Sequence, residues 1–174
     1  MIELLSSSLL YEIPRNPAIA VGLPIALGGL SGAITKSSVN TWYAALAKPP
    51  GQPPRIAFPI VWTLLYGAMG YAAHLTASHV NTPFIGDAAR DSLHLQYAQF
   101  GMNMLWTPLF FGAKKPVLAL LDITALLGTV LKTTNDLRGI DTNAFYLYLP
   151  YCAWLGYATY LNAGIIYKNY KNKN

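Results

Sequence analysis

The sequence predicts an all-α integral membrane protein, a five-transmembrane-helix bundle, on three observations. The 174 residues are 53% hydrophobic and only 11% charged, about half the charged share of an average water-soluble domain, and mean hydropathy is positive. Five stretches approach the length of about 20 mostly apolar residues that a helix needs to cross a bilayer. Once those stretches are counted, the charges sort by side of the membrane.

The elements follow in order. Residues 1–16 form an N-terminal extension with Glu3, Glu12 and no basic start, unlike a secretory signal or an Arg-rich transit peptide. A single membrane domain occupies 17–167. Its first span, 17–35, has no charge and carries Gly28 and Gly32, a small-xxx-small step that lets helices approach closely. The first connector, 36–55, precedes a second span at 56–78, where His74 is the one ionisable group and Gly67, Ala68, Gly70 and Ala72 offer a small surface. The third span, 92–113, opens with His94, Gln96, Gln99 and Asn103 and turns strongly apolar after them. The fourth, 116–133, holds Asp122, and the fifth, 142–167, has no charge. Residues 168–174 are a basic tail.

With five spans the termini lie on opposite sides. One side carries Arg15, Arg90, Lys132 and Arg138 with six acids. The other carries Lys36, Lys48, Arg55, Lys114, Lys115, Lys168, Lys171 and Lys173 and no acid. The excess of Lys and Arg places the first connector and the C-terminus in the cytosol.

Several classes of chemistry are excluded. Cys152 is the one cysteine, so there is neither a disulfide framework nor a thiolate metal site. No phosphate loop, zinc spacing or nucleophile triad occurs, and the basic side lacks a nucleic-acid signature. The partner is the lipid bilayer. His74, His79 and His94 have poor metal spacing; they read as structural or interfacial histidines, with haem ligation as the alternative. Asp122, at membrane depth, is either functional or hydrogen-bonded for structure.

Aromatic residues carry more information. Trp42 and Tyr43 precede the connector. Phe58, Trp62 and Tyr66 recur at i, i+4, i+8, Trp106, Phe110 and Phe111 close the third span, and Tyr151, Trp154 and Tyr157 mark the fifth. Any one of them suits an interfacial belt. Together, on facing helices, they suit a flat apolar or sterol-like ligand oriented by a few amides. The stretch KPPGQPPRIAFPIVW, from Lys48 to Trp62, adds five prolines. Its paired prolines exclude helix and central strand and leave a stiff, extended or turning connector.

Four segments in order, WYAALAKPP, VWTLLYGAMG, NMLWTPLFFGA and LPYCAWLGYATYLN, resemble the translocator protein family, also called the tryptophan-rich sensory or peripheral benzodiazepine receptor family. The resemblance runs from Trp42 to Asn162. It implies a five-helix bundle, usually a homodimer, that binds porphyrins, sterols and benzodiazepine-type ligands with no required cofactor. It also implies a pocket at the cytosolic end, under a lid made of Trp42, Pro49, Pro50, Gly51, Pro53 and Pro54. Trp62 and Trp154 match two tryptophans tied in bacterial members to porphyrin degradation. Asn103, Trp106, Ala158 and Leu161 match positions at or near the ligand cavity, which Phe58 and Tyr66 are expected to join. Gly51 stands where many members have tryptophan, and Ala163 stands where the animal sterol motif has tyrosine. A pattern L-x(5)-Y-x(3)-K still runs through Leu161, Tyr167 and Lys171.

The expected function is a membrane receptor or carrier for porphyrin (haem, protoporphyrin), with sterol or benzodiazepine-type ligands as further candidates. One alternative is an enzyme that degrades porphyrin photo-oxidatively with Trp62 and Trp154 as redox-active side chains. Another is a small-molecule transporter, for which Asp122 and a few amides make a thin polar path. No acid–base pair is visible, so binding leads over catalysis. Family members sit in the mitochondrial outer membrane of eukaryotes, expected here, or in the bacterial cell envelope, the alternative.

Overall fold

The computed structural model describes residues 9–170. Among them the regular structure is helical, with five long helices: α1 Pro17–Ser38, α2 Ala57–Ser78, α3 Gly86–Thr107, α4 Pro116–Leu137 and α5 Thr142–Tyr170. α1 and α3 each continue through a π-helical turn, Val39–Tyr43 and Pro108–Gly112. Each expected span falls on one helix, but the ends differ. Residues 39–45 remain helical, so the connector assigned to 36–55 shrinks to 46–56. Likewise α3 begins at Gly86 rather than 92, and α4 runs to Leu137 rather than 133. The reason is physical: hydropathy senses where apolar character stops, whereas a helix continues until its hydrogen bonds are interrupted. Nothing between Lys36 and Ala45 is Gly or Pro.

Local chemistry sets the helix ends. Asn16 caps α1, its Oδ1 accepting from Ala18 N at 3.0 Å and Ile19 N at 3.3 Å, with Pro17 preset for the first turn. Pro116 opens α4 in the same way. Asp141 caps α5 through a 2.8 Å bond from Ala144 N. Between α3 and α4 the chain reverses at Lys114, whose φ of +55° is left-handed, while Ala113 N and Lys115 N donate back to Pro108 O and Leu109 O.

α2 lies at the centre, against α1, α3 and α5, while α4 packs between α3 and α5. The α1–α2 contact is close because two glycines allow it. A Cβ on Gly70 would lie 2.0 Å from Ala20 O, and one on Gly28 would lie 2.1 Å from the Tyr66 ring. Gly32, the other half of the expected step, has open space around it.

The distribution of polarity is the reverse of a water-soluble domain. Ile19, Leu23, Leu30 and Ile34 on α1, Ile60 and Leu64 on α2, and Val117, Leu121 and Leu131 on α4 all face outward. The interior holds Gln96, Gln99, Asn103, Tyr148, Tyr151 and Asn162. A surface this apolar in water would drive association; against hydrocarbon it is the required one. Pro17–Tyr43 and Pro116–Leu137 are each long and apolar enough to cross a membrane by length and composition.

Candidate ligand-binding site

The proline connector is docked onto α5. The Pro49 ring rests on Gly164, where a Cβ would lie 2.6 Å from Pro49 Cβ. Tyr160 donates its hydroxyl to Pro50 O at 3.0 Å, and Tyr157 donates to Gly51 O. Asn169 pairs with both main-chain groups of Ala47, accepting from its N–H at 2.9 Å and donating to its carbonyl at 2.7 Å. Pro50-Gly51 has the Pro-then-Gly pattern of a type II turn, and Gly51 sits at φ +82°, where only glycine is unstrained. Gln52 Nε2 donates to Tyr43 OH at 2.7 Å, and the Lys48 ammonium lies 4.8 Å over the Tyr43 ring while donating to Leu46 O at 2.8 Å. Partial desolvation, and repulsion from Arg55 after it, push Lys48 below the usual lysine range.

Next to this connector the aromatic residues form two adjoining groups. Phe58 meets Trp154 edge to face at 5.9 Å, and Trp154 lies 5.7 Å from Tyr157. Trp62 stacks on Tyr66 at 5.5 Å and meets Tyr151 edge-on at 6.3 Å. In the second group Trp106 stacks on Phe110 at 4.8 Å, and Trp42 meets Phe110 edge-on at 5.6 Å. Edge-to-face and offset contacts of this kind are each worth about 0.5–1.5 kcal/mol beyond area burial.

A buried hydrogen-bond chain underlies the rings. Tyr66 OH donates to Asn103 Oδ1 at 2.8 Å, Asn103 Nδ2 donates to Tyr151 OH at 2.9 Å, and Tyr151 OH donates to Gln99 Oε1 at 2.8 Å. Trp106 Nε1–H donates to Asn162 Oδ1 at 3.2 Å, whose amide nitrogen reaches Pro116 O at 2.9 Å. Two groups near the connector are buried without partners among the described residues: Trp154 Nε1–H, a donor, and Gln52 Oε1, an acceptor. Asp122 Oδ2 is a third buried atom without a partner among the described residues.

The expected residues are therefore only partly gathered. Trp62, Tyr66, Trp154 and Ala158 belong to or border one core, and Trp106 borders both that core and the Trp42–Phe110 group; Phe58 joins the core through Trp154, and Asn103 through its hydrogen bonds to Tyr66 and Tyr151. Trp42 packs with Phe110 rather than covering the first group. Asn103, expected to orient a ligand, has both ends of its amide engaged by tyrosines. Leu161 is buried, whereas Tyr167 on the same helix is 64% exposed, so the two do not share a face; Lys171 lies outside the described residues. Sequence reading missed Gln52, Tyr160, Gly164 and Asn169. The spacing of Tyr157, Tyr160 and Gly164 at i, i+3, i+7 was the available signal, since it puts them on one helix face.

The opposite, acidic end holds the histidines, each with a partner. His79 Nε2 lies 3.1 Å from Asp141 Oδ2, His74 Nδ1 lies 3.0 Å from Pro14 O, and His94 Nε2 lies 3.0 Å from Tyr11 OH. These are structural ties. No group of three or more His, Cys, Asp or Glu that could hold a metal occurs among the described residues.

An apolar outer face, a polar tyrosine–amide interior and aromatic rings beside a docked proline connector define a helical membrane protein. Residues 20–168 match the TspO/MBR family, and the chain belongs to it. It is 39% identical over 153 residues to the translocator protein homolog of Schizosaccharomyces pombe, covering 88% of this chain and 92% of that one. Identity to the translocator protein of Bos taurus is 35%, over 86% and 88% of the two chains. Identity to the tryptophan-rich sensory protein of Cereibacter sphaeroides is 36%, over 76% and 78%.

Proposed function

We propose that all five helices cross the bilayer and that the protein is a receptor or carrier for a tetrapyrrole, haem or protoporphyrin, held among Phe58, Trp62, Trp154 and Ala158 under the proline connector. Sterols and benzodiazepine-type molecules are further candidate ligands. The observation that carries this reading is the pair of buried, unpartnered groups, Trp154 Nε1–H on α5 and Gln52 Oε1 on the connector. A buried polar group without a partner costs about 1–3 kcal/mol, and such groups recur where a ligand supplies the missing bond. A porphyrin's propionate carboxylate would accept from Trp154 Nε1–H, and its carboxylic acid form would donate to Gln52 Oε1, both carried on a flat apolar body.

The connector acts as a lid. Its contacts with α5 are a few hydrogen bonds and one proline–glycine contact, so it can lift while the helices stay packed. On this reading the protein is a homodimer in the mitochondrial outer membrane, with the connector and C-terminus in the cytosol. The test is a titration of tryptophan fluorescence with protoporphyrin, haem and cholesterol in nanodiscs. Saturable quenching by a tetrapyrrole that weakens in Trp154→Phe, which keeps the ring but lacks the N–H, supports the proposal. Absence of saturable quenching by any of the three removes it.

A further inference from the structure

We propose that a cleft between α1 and α3, at the acidic end of the bundle, binds the hydroxyl head of a single-chain membrane amphiphile, with Gln96 Oε1 as its acceptor. The proposal rests on the helices crossing the bilayer, as above, but not on the tetrapyrrole site.

The cleft has a volume of about 80 Å³ and is walled by apolar side chains, among them Pro14, Leu23, Ala73, Leu93 and Phe100, with Gln96 as a polar member. Gln96 is 95% buried and its Oε1 has no partner among the described residues. The orientation of the amide is determined by its neighbours. Gln96 Nε2 donates to Thr76 Oγ1 at 3.0 Å and contacts Ser92 Oγ at 3.4 Å. The Thr76 hydroxyl already donates to Ala72 O at 2.8 Å, so it can only accept from the amide, and turning the amide over would set two acceptors against each other. The carbonyl therefore has no partner among the described residues; it is packed too closely for water to touch, so a donor in the cleft reaches it through a small shift of the lining side chains.

Access decides what enters. From the aqueous side the cleft is covered by the N-terminal segment. Pro14 is buried there, His74 Nδ1 holds its carbonyl at 3.0 Å, and Tyr97 OH donates to Leu10 O at 2.7 Å. On the other flank the rim is formed by Ile19 and Leu23, which are 48% and 47% exposed on the outer face of α1. Entry is thus from lipid. Gln96 lies four residues beyond the expected membrane entry at 92, or about 6 Å at 1.5 Å per residue, a depth where hydroxyl heads reside. Size selects the head. A dry cavity of roughly 150 Å³ accommodates benzene, so 80 Å³ admits a hydroxymethyl group and excludes a fused ring system. The tail then runs along the outer face of α1 past Leu23.

The experiment uses the full chain in phosphatidylcholine nanodiscs and a long-chain primary alcohol carrying a photoactivatable diazirine close to its hydroxyl. Saturable labelling is expected in residues 13–24 and 93–100. Oleyl alcohol should compete at least tenfold better than oleyl methyl ether, which lacks the donor, and tenfold better than cholesterol, which is too wide. Gln96→Leu should lower labelling about tenfold, the size of one lost hydrogen bond to a buried acceptor. Leu23→Trp fills the rim from the lipid side without touching Gln96 and should abolish labelling even if Gln96→Leu fails to fold. Non-saturable labelling, equal competition by the ether or by cholesterol, or full labelling of Leu23→Trp overturns the proposal. Protoporphyrin quenching is measured on the same samples. Its loss with labelling intact sinks the tetrapyrrole reading alone.

Discussion

The two ends of the bundle are closed by different chemistry. At the acidic end side chains from separate elements pair directly, as in His79–Asp141 and Tyr11–His94, above a seam where Gly70 lets α1 touch the backbone of α2. At the basic end the cover is a loop, and α5 holds it mainly by its main-chain groups, at Ala47, Pro50 and Gly51. Below that loop lie rings in edge-to-face contact, and two buried polar atoms, Gln52 Oε1 on the loop and Trp154 Nε1 beneath it, have no partner among the described residues. The first closure combines side-chain pairs between elements with a close backbone approach of two helices. The second is concentrated in a few bonds from one helix to one loop. Function is expected where closure is reversible.

That contrast can be broken most directly by glycine substitutions at both ends. Gly70→Val places atoms against Ala20 O and should destabilise the bundle by about 2–3 kcal/mol, read as a lower unfolding midpoint in mixed micelles. Gly164→Ala pushes Pro49 off α5 and should leave that midpoint nearly unchanged while speeding protoporphyrin release. Equal loss of stability from both would erase the distinction between the ends.

Trp154→Ala comes next. It removes one wall of the ring group and a buried aromatic area of about 150–250 Å², so protoporphyrin affinity should fall tenfold or more, a change of about 1.4 kcal/mol, at unaltered helix content by circular dichroism. Unchanged affinity would move the ligand elsewhere.

A smaller effect sharpens the acidic end. Burial alone would raise the Asp141 carboxyl, but hydrogen bonds from Ala144 N, His79 and Asn143 N outweigh it and hold the group below the ordinary 3.8. A depressed carboxyl contributes stability above its unfolded value and loses that contribution as pH falls through the folded one. Asp141→Ala should therefore cost about 1 kcal/mol at neutral pH, and the difference from the parent should shrink as pH falls below 3.8. A difference that persists at low pH would mean that the charge on Asp141 is irrelevant.

The smallest effect tests the lid. Pro53→Ala gives the free connector more conformations to lose on closing, at about 0.4–1 kcal/mol, so stopped-flow release should quicken about two- to fivefold. Gly51→Trp, which restores the residue of many relatives, has open space around its Cβ but a left-handed backbone, and that strain of about 1–2 kcal/mol should offset any added ring contact. Release slowed strongly by that change would show that the turn can flip.

How much of this was legible beforehand differs by feature. Helices were most readable where the apolar stretch is long, as in α1 and α4, and the aromatic i, i+4, i+8 run on α2 did place Phe58 and Trp62 beside Trp154 and Tyr151 of α5, while Tyr66 turned to Asn103 and Phe100 of α3. The role of Asn103 was not readable. An amide among aromatics looks the same whether it awaits a ligand or is engaged by Tyr66 and Tyr151, and only the positions of those hydroxyls decide. Likewise Asn169, in a segment that reads as a basic tail, becomes a clamp because α5 continues to Tyr170 and carries its side chain back to Ala47.

The sequence by itself determined the solvent, the helices and the stiffness of the connector, because hydropathy, charge sidedness and proline geometry are properties of consecutive residues. Only the tertiary structure decided which polar groups were left over. Tyr66, Asn103, Tyr151 and Gln99 satisfy one another across α2, α3 and α5, while Trp154 Nε1, Gln52 Oε1, Gln96 Oε1 and Asp122 Oδ2 have no partner among the described residues. Pairing depends on distances between atoms far apart in the chain, which no reading of consecutive residues supplies.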